Sequence, residues 1–301
     1  PSPVSLVQAQ VVSDVPIREP NPMNMRIVFE WPLQGRPLFC VIVILRILAS
    51  RGLEPSTVAV PARPLIYFNS SEGAELLKTA SHSQPFWQVG MSLQTEFFGE
   101  CGQATAAVLL NGLGHQGLPA PVSKAYSFDG SSFKATTHYW EQTNVVNSTG
   151  CARSVHAQWK GALEQVAALI ECAGAEARAV RAETTDAASF RRDLVDSFAA
   201  SPTRLVSVNF DRRLLGQVGM GHHSPIGAYD AATDRVLILD VARYKYLPVW
   251  AGLDDLFVAM QKEVGPDPWG YSTPRGYIIA QMPQASQTAS TRSSLRFLSS
   301  R

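Results

Sequence analysis

Three residue types that together carry out acyl transfer stand in this chain at separations a fold can close: Cys101, the pair His222 and His223, and Asp240. Cys101 lies in QTEFFGECGQATAAVLLNGLG (94–114), where an irregular polar segment turns into an apolar helix. From Gly102 onward Ala104, Ala106, Val108, Leu109 and Leu110 favour helix, and Gly112 and Gly114 supply its stop. A cysteine in the first turn of such a helix meets unpaired amide groups and the positive end of the dipole, which together favour a thiolate. An isolated cysteine is more often a small buried hydrophobe, so the other residues must decide.

The stretch GMGHHSPIGAYDAATDRVLILDV (219–241) reads as a hairpin around Asp230–Asp234. With its turn centred near Ala232, Asp240 falls opposite Ser224 and diagonal to His222, a separation that side chains on one face can span. The apolar run Val236–Leu239 buries its strand, and a buried carboxylate requires a partner. Histidine is a natural one. The combined reading is a Cys101 nucleophile, a His222 base that later serves as acid, and an Asp240 carboxylate that fixes the imidazole tautomer. Gln94, upstream of the helix-start cysteine, could donate to a developing oxyanion beside the Cys101 backbone N–H.

These groups need a helix and a sheet to hold them. Asn69–Ala80 reads as a capped helix, Val155–Gly174 as an amphipathic one ended by Gly174, and Asp186–Ala200 as another. Pro119–Gly150 keeps no steady period and is expected to be a long surface connection able to line a cleft. The period then falls to that of strands at Leu205–Phe210, Ser224–Tyr229, Arg235–Val241 and Arg275–Met282, with a helix at Leu253–Glu263. A helical first part followed by an antiparallel sheet is an α+β arrangement.

Composition narrows the function classes. With 301 residues, 46% of them hydrophobic, the chain can bury a substantial core. The 26 basic and 25 acidic residues nearly cancel, and no basic run with interleaved aromatics argues for nucleic acid. The four cysteines form no CxxC pair and lack the density of a disulfide-stapled scaffold, so Cys151 and Cys172 read as structural and a structural zinc is not expected. Residues 1–63 are Pro-rich and carry the apolar run LFCVIVIL (38–45), too short for a membrane span. It could be a targeting segment with an internal start at Met23 or Met25, an extension, or a buried strand. Residues 283–301 read as a solvated Ser-rich tail. No membrane partner is expected, and a homodimer is left open. The cytoplasm is favoured, with export the alternative if 25–50 is a signal segment.

LIYFNSSEG (65–73), the QTE…CG block (94–102), GHHSPIGAYD (221–230), LILDVARYKYLPVW (237–250) and PRGY (274–277) resemble, in order and spacing, the phytochelatin synthases and their shorter bacterial relatives. The resemblance covers 64–282 and implies a papain-like fold, with a nucleophile lobe and a sheet lobe. It implies glutathione as donor and acceptor: Cys101 releases glycine, carries a γ-Glu-Cys acyl group, and passes it to a second glutathione or to water. It also implies no organic cofactor, with Cd²⁺ or another thiophilic metal presented as a metal–glutathione thiolate and no dedicated metal ligands in the site. By the same resemblance His222 rather than His223 is the base, Arg275 holds the γ-glutamyl carboxylate, and Arg243, Lys245 and Arg212 lie toward the acceptor. The chain departs from the pattern in placing Gln94 seven residues before Cys101 rather than six, an extra residue that a bulge at Gly99 could absorb. In plant members a cysteine-rich C-terminal domain follows, whereas residues 283–301 are Ser-rich, the sequence ground for a glutathione-hydrolase alternative. A metal–thiol binding protein without catalysis is a third reading.

Overall fold

The structure, a computed structural model, describes residues 61–127, 134–261 and 275–283. These lie within one compact unit, Thr57–Arg301. The run at 38–45 and the Ser-rich segment beyond 283 fall outside the described residues.

The chain order is β1 (Ile66–Tyr67), α1 (Ser71–Thr79), α2 (Gln84–Met91), α3 (Cys101–Gly114), β2 (Val122–Ser127), β3 (Lys134–His138), α4 (Gln142–Asn147), α5 (Gly150–His156), α6 (Leu163–Cys172), β4 (Glu176–Arg181), α7 (Ala187–Ala199), β5 (Arg204–Asp211), β6 (Gly221–Asp230), β7 (Arg235–Ile238), β8 (Val249–Gly252), α8 (Leu253–Gln261) and β9 (Gly276–Gln281). Seven strands form one sheet in the order β1-β8-β7-β6-β5-β9-β4, every neighbouring pair antiparallel. The mixed α/β architecture with a large antiparallel sheet matches the class read from the sequence.

Alternation along the strands buries both faces. Leu205, Ala228, Leu237, Ile278 and Ala280 pack with α3 and α6, whereas Val206, Val208, Ile226, Val236 and Ile279 pack with α7 and α8. Helix α3 is buried on every side from Gly102 to Leu113, which explains a composition too apolar for a surface helix.

Two expectations need correcting. Pro119–Gly150 is not a structureless connection: it contains the β2–β3 hairpin and α4, and Trp140 is buried. The Asn111 side chain holds both the Trp140 N–H (2.9 Å) and its carbonyl (2.8 Å), tying the segment to α3. Val155–Gly174 is two helices rather than one. Gly161, at φ +70°, belongs to the break between α5 and α6, whose Trp159, Lys160 and Gly161 line a cleft. Cys151 and Cys172 do serve structure, but as a disulfide across that break, Cα–Cα 5.6 Å. Strand β4 escaped the sequence reading because it is a polar edge strand with exposed Glu176, Arg178 and Arg181.

The disulfide closes a sequence separation of 21 residues. Replacing both cysteines by serine is expected to lower stability by about 3 kcal/mol, the chain-entropy value for a loop of that length, as urea unfolding would measure.

Candidate active site

The β6–β7 hairpin sets the geometry. Near the turn Asp230 pairs with Arg235, Tyr229 with Val236 and Ala228 with Leu237, then the register shifts so that Ile226 faces Ile238. The bulge falls at Gly227, where a Cβ would lie 2.9 Å from the Leu239 side chain. Beyond it the Leu239 N–H donates to the Pro225 carbonyl, and the shifted register brings Asp240 to His222. The His222 Nε2–H donates to Asp240 Oδ1 at 2.9 Å, with both side chains buried. Its other ring nitrogen is left for the Cys101 sulfur, which lies within 4.8 Å of the imidazole and acts on its charge.

Cys101 is a free thiol, partly exposed, and the first residue of α3. Its neighbour Gly102 is required by packing: a Cβ there would come within 2.9 Å of both Trp159 and Val166. Cys101, His222, His223, Arg212, Lys245 and Arg275 share the lining of one cleft of about 470 Å³, with Glu96, Trp159 and Asn209 also on its wall.

Burial pushes the His222 imidazole down, but the Cys101 sulfur and the Asp240 carboxylate outweigh it and raise its pKa to about 9. Burial alone would raise Asp240, yet His222 and Arg212 hold it well below the usual carboxylate range. His223 lies 3.0 Å from the Gly161 carbonyl and 2.8 Å from the Asn209 amide, and burial lowers its pKa to about 4, so it is neutral at pH 7.

The structure brings together Cys101, His222 and Asp240, and sets Arg275 and Lys245 on the same cleft. Arg212 is there too, but its guanidinium is engaged, donating to Asp240 Oδ1 (2.8 Å) and Gln217 (2.8 Å) over the Tyr246 ring. Gln94 and Arg243 are not among the cleft-lining residues. Gly99 adopts a positive φ of 83°. The Gln94 amide donates to the Trp140 carbonyl at 2.6 Å. Arg243 is exposed.

Sequence reasoning passed over Glu96, Asn209, Asp211 and Trp159. Buried Asp211 grips Arg213 and lies 3.6 Å from the Arg275 guanidinium, steadying it in the cleft. Its signal was a carboxylate ending an apolar strand directly before two arginines. Trp159 read as one more apolar residue of a continuous helix, and only the break in that helix puts it on the cleft.

Because folding raises the His222 pKa above its unfolded value of about 6.5, its contribution to stability is complete below that pH and is lost as pH rises through about 9. Histidine NMR titration of Cys101→Ala should find His222 titrating below the native value, and Asp240→Asn should lower it as well.

The sequence profile described as "Phytochelatin synthase" matches residues 56–277. A Lotus japonicus protein named glutathione gamma-glutamylcysteinyltransferase 3 is 34% identical over 218 residues, 71% of this chain and 42% of its own. Glutathione gamma-glutamylcysteinyltransferase 1 of Triticum aestivum is 30% identical over 67% of this chain and 38% of its own. A Schizosaccharomyces pombe glutathione gamma-glutamylcysteinyltransferase is 27% identical over 60% and 39% respectively. The chain thus spans roughly two fifths of these curated relatives. The profile match takes in the α3 cysteine, the hairpin histidine and aspartate, and the arginine before β9, and by it the chain belongs to the phytochelatin synthase family.

Proposed function

We propose that this chain is a glutathione γ-glutamylcysteinyltransferase of papain-like arrangement, working through a Cys101–His222–Asp240 triad. The observation that carries the reading is the buried 2.9 Å contact from His222 Nε2 to Asp240 Oδ1 in a cleft shared with Cys101. A carboxylate on one ring nitrogen leaves the other for the thiol, the arrangement that a nucleophile–base pair requires.

In the first step the Cys101 thiolate attacks the carbonyl carbon of the Cys–Gly peptide bond in glutathione, forming a C–S bond. The oxyanion that develops meets the Cys101 backbone N–H at the start of α3. Gln94 would join it only after leaving the Trp140 carbonyl. Protonated His222 gives its proton to the glycine nitrogen, the C–N bond breaks, and γ-Glu-Cys remains as a thioester. Next the amine of a second glutathione attacks that thioester, His222 takes the amine proton, and Cys101 departs as thiolate. Each cycle lengthens the acceptor by one γ-Glu-Cys unit. Arg275 is suited to the γ-glutamyl carboxylate by its planar fork. Cd²⁺ or a similar metal enters as the metal–glutathione thiolate, part of the substrate.

Glycine release and product masses, measured with glutathione in the presence and absence of Cd²⁺, test this. Oligomers of γ-Glu-Cys ending in glycine are expected, lost in Cys101→Ala and reduced on the order of 10³–10⁴-fold in Asp240→Asn. The rate should fall as pH rises through about 9, where His222 loses the proton destined for glycine. Free γ-Glu-Cys without oligomers would mean that water is the acceptor. Undiminished turnover by Cys101→Ala would overturn the triad.

A further inference from the structure

Glu96 is a carboxylate that the acyl-transfer steps do not use. It is 8% exposed, its Oε1 accepts from the Tyr244 hydroxyl at 2.8 Å, and its Oε2 is buried without a hydrogen-bond partner. Among the described residues no cation pairs with it. A carboxylate withdrawn from water with one oxygen left unpaired favours a positive ligand at that oxygen.

The ligand's chemistry follows from the neighbours. A carboxylate oxygen of Glu96, the Cys101 sulfur and a His222 ring nitrogen all lie within 4.8 Å of one another. An ammonium group could donate to the carboxylate and to an imidazole lone pair, but it gains little from a thiolate sulfur beside them. A thiophilic divalent cation uses all three. Zinc–ligand bonds of about 2.0–2.3 Å put tetrahedral donors roughly 3.5 Å apart, so a modest closure completes three corners and leaves the fourth open. Asp240 on the far nitrogen of His222 supplies the outer carboxylate that metal-bound histidines usually carry.

We propose that Glu96, Cys101 and His222 form a binding site for a free thiophilic divalent cation of the Zn²⁺ or Cd²⁺ class. Occupancy ties up the Cys101 lone pair and displaces the proton held between Cys101 and His222 to solvent, about one per ion. The site is built by the fold alone, but its consequence rests on the function proposed above: free metal inhibits the nucleophile, whereas metal carried by glutathione is substrate.

The test is iodoacetamide labelling of Cys101 in the intact chain without glutathione, so its outcome does not depend on whether the chain transfers acyl groups. Substoichiometric to equimolar Cd²⁺ or Zn²⁺ should protect Cys101, and Mg²⁺ should not. Glu96→Gln should raise the half-protecting Cd²⁺ concentration about tenfold or more. Tyr244→Phe, which frees Oε1 while keeping the ring, should remain protected at the native concentration or below it. Equal protection of Glu96→Gln and the native chain, protection by Mg²⁺, or loss of protection in Tyr244→Phe would each overturn the site.

Discussion

A carboxylate taken out of water must be neutralised by partners that the fold holds in place, and Asp240, 1% exposed, is neutralised on two sides. His222 donates to it from β6, and Arg212, itself 3% exposed, pairs with it at 2.7 Å from the turn after β5. Removing one partner of a buried pair typically costs about 3–5 kcal/mol, because the other charge stays buried. The demand therefore fixes three strands relative to one another and fixes the imidazole by the same contact. The Ala242 N–H on Asp240 Oδ1 at 2.8 Å also ties down the start of the segment that carries Tyr244 and Lys245. Stability and chemistry share one charge, and a conservative Asp240→Asn change would disturb both.

The helix side answers a steric demand. Gly102 lets Trp159 and Val166 close against the first turn of α3, so the thiol is presented by a helix end packed against both. Trp159 sits between α5 and α6, and the Cys151–Cys172 bond limits how far those helices can part. Shape on that wall of the cleft is thus set by packing and a covalent link, and on the other wall by the Asp240 network. Glu96 lies where the two meet, its backbone N–H on the Val241 carbonyl and its side chain on Tyr244.

Much of this was legible in residue order. The hairpin's turn residues and the apolar run before Asp240 were enough to bring His222 to it. The bulge at Gly227 was not foreseen, yet it supplies the register that the simple count assumed. The helix starting at Cys101 was legible because its apolar residues follow an irregular polar stretch without interruption. Arg212 read as a substrate cation because sequence distance says nothing about which of several carboxylates lies beneath it. Gln94 read as an oxyanion donor because it is an amide just upstream of the helix-start cysteine, but the Trp140 carbonyl that holds it comes from a segment with no period to reveal its burial. Glu96 was overlooked since a single carboxylate before two phenylalanines carries no pattern. Only an oxygen left without a partner in three dimensions, its Oε2, marks it out.

The central claim is that Cys101 carries the γ-glutamylcysteinyl group between donor and acceptor. Its most direct test is acid quenching shortly after mixing the chain with glutathione, followed by intact-mass analysis and peptide mapping. The account predicts one γ-Glu-Cys adduct per chain, on the peptide containing Cys101, formed as glycine is released and absent from Cys101→Ala. Glycine release with no adduct, or an adduct on a different residue, would contradict it.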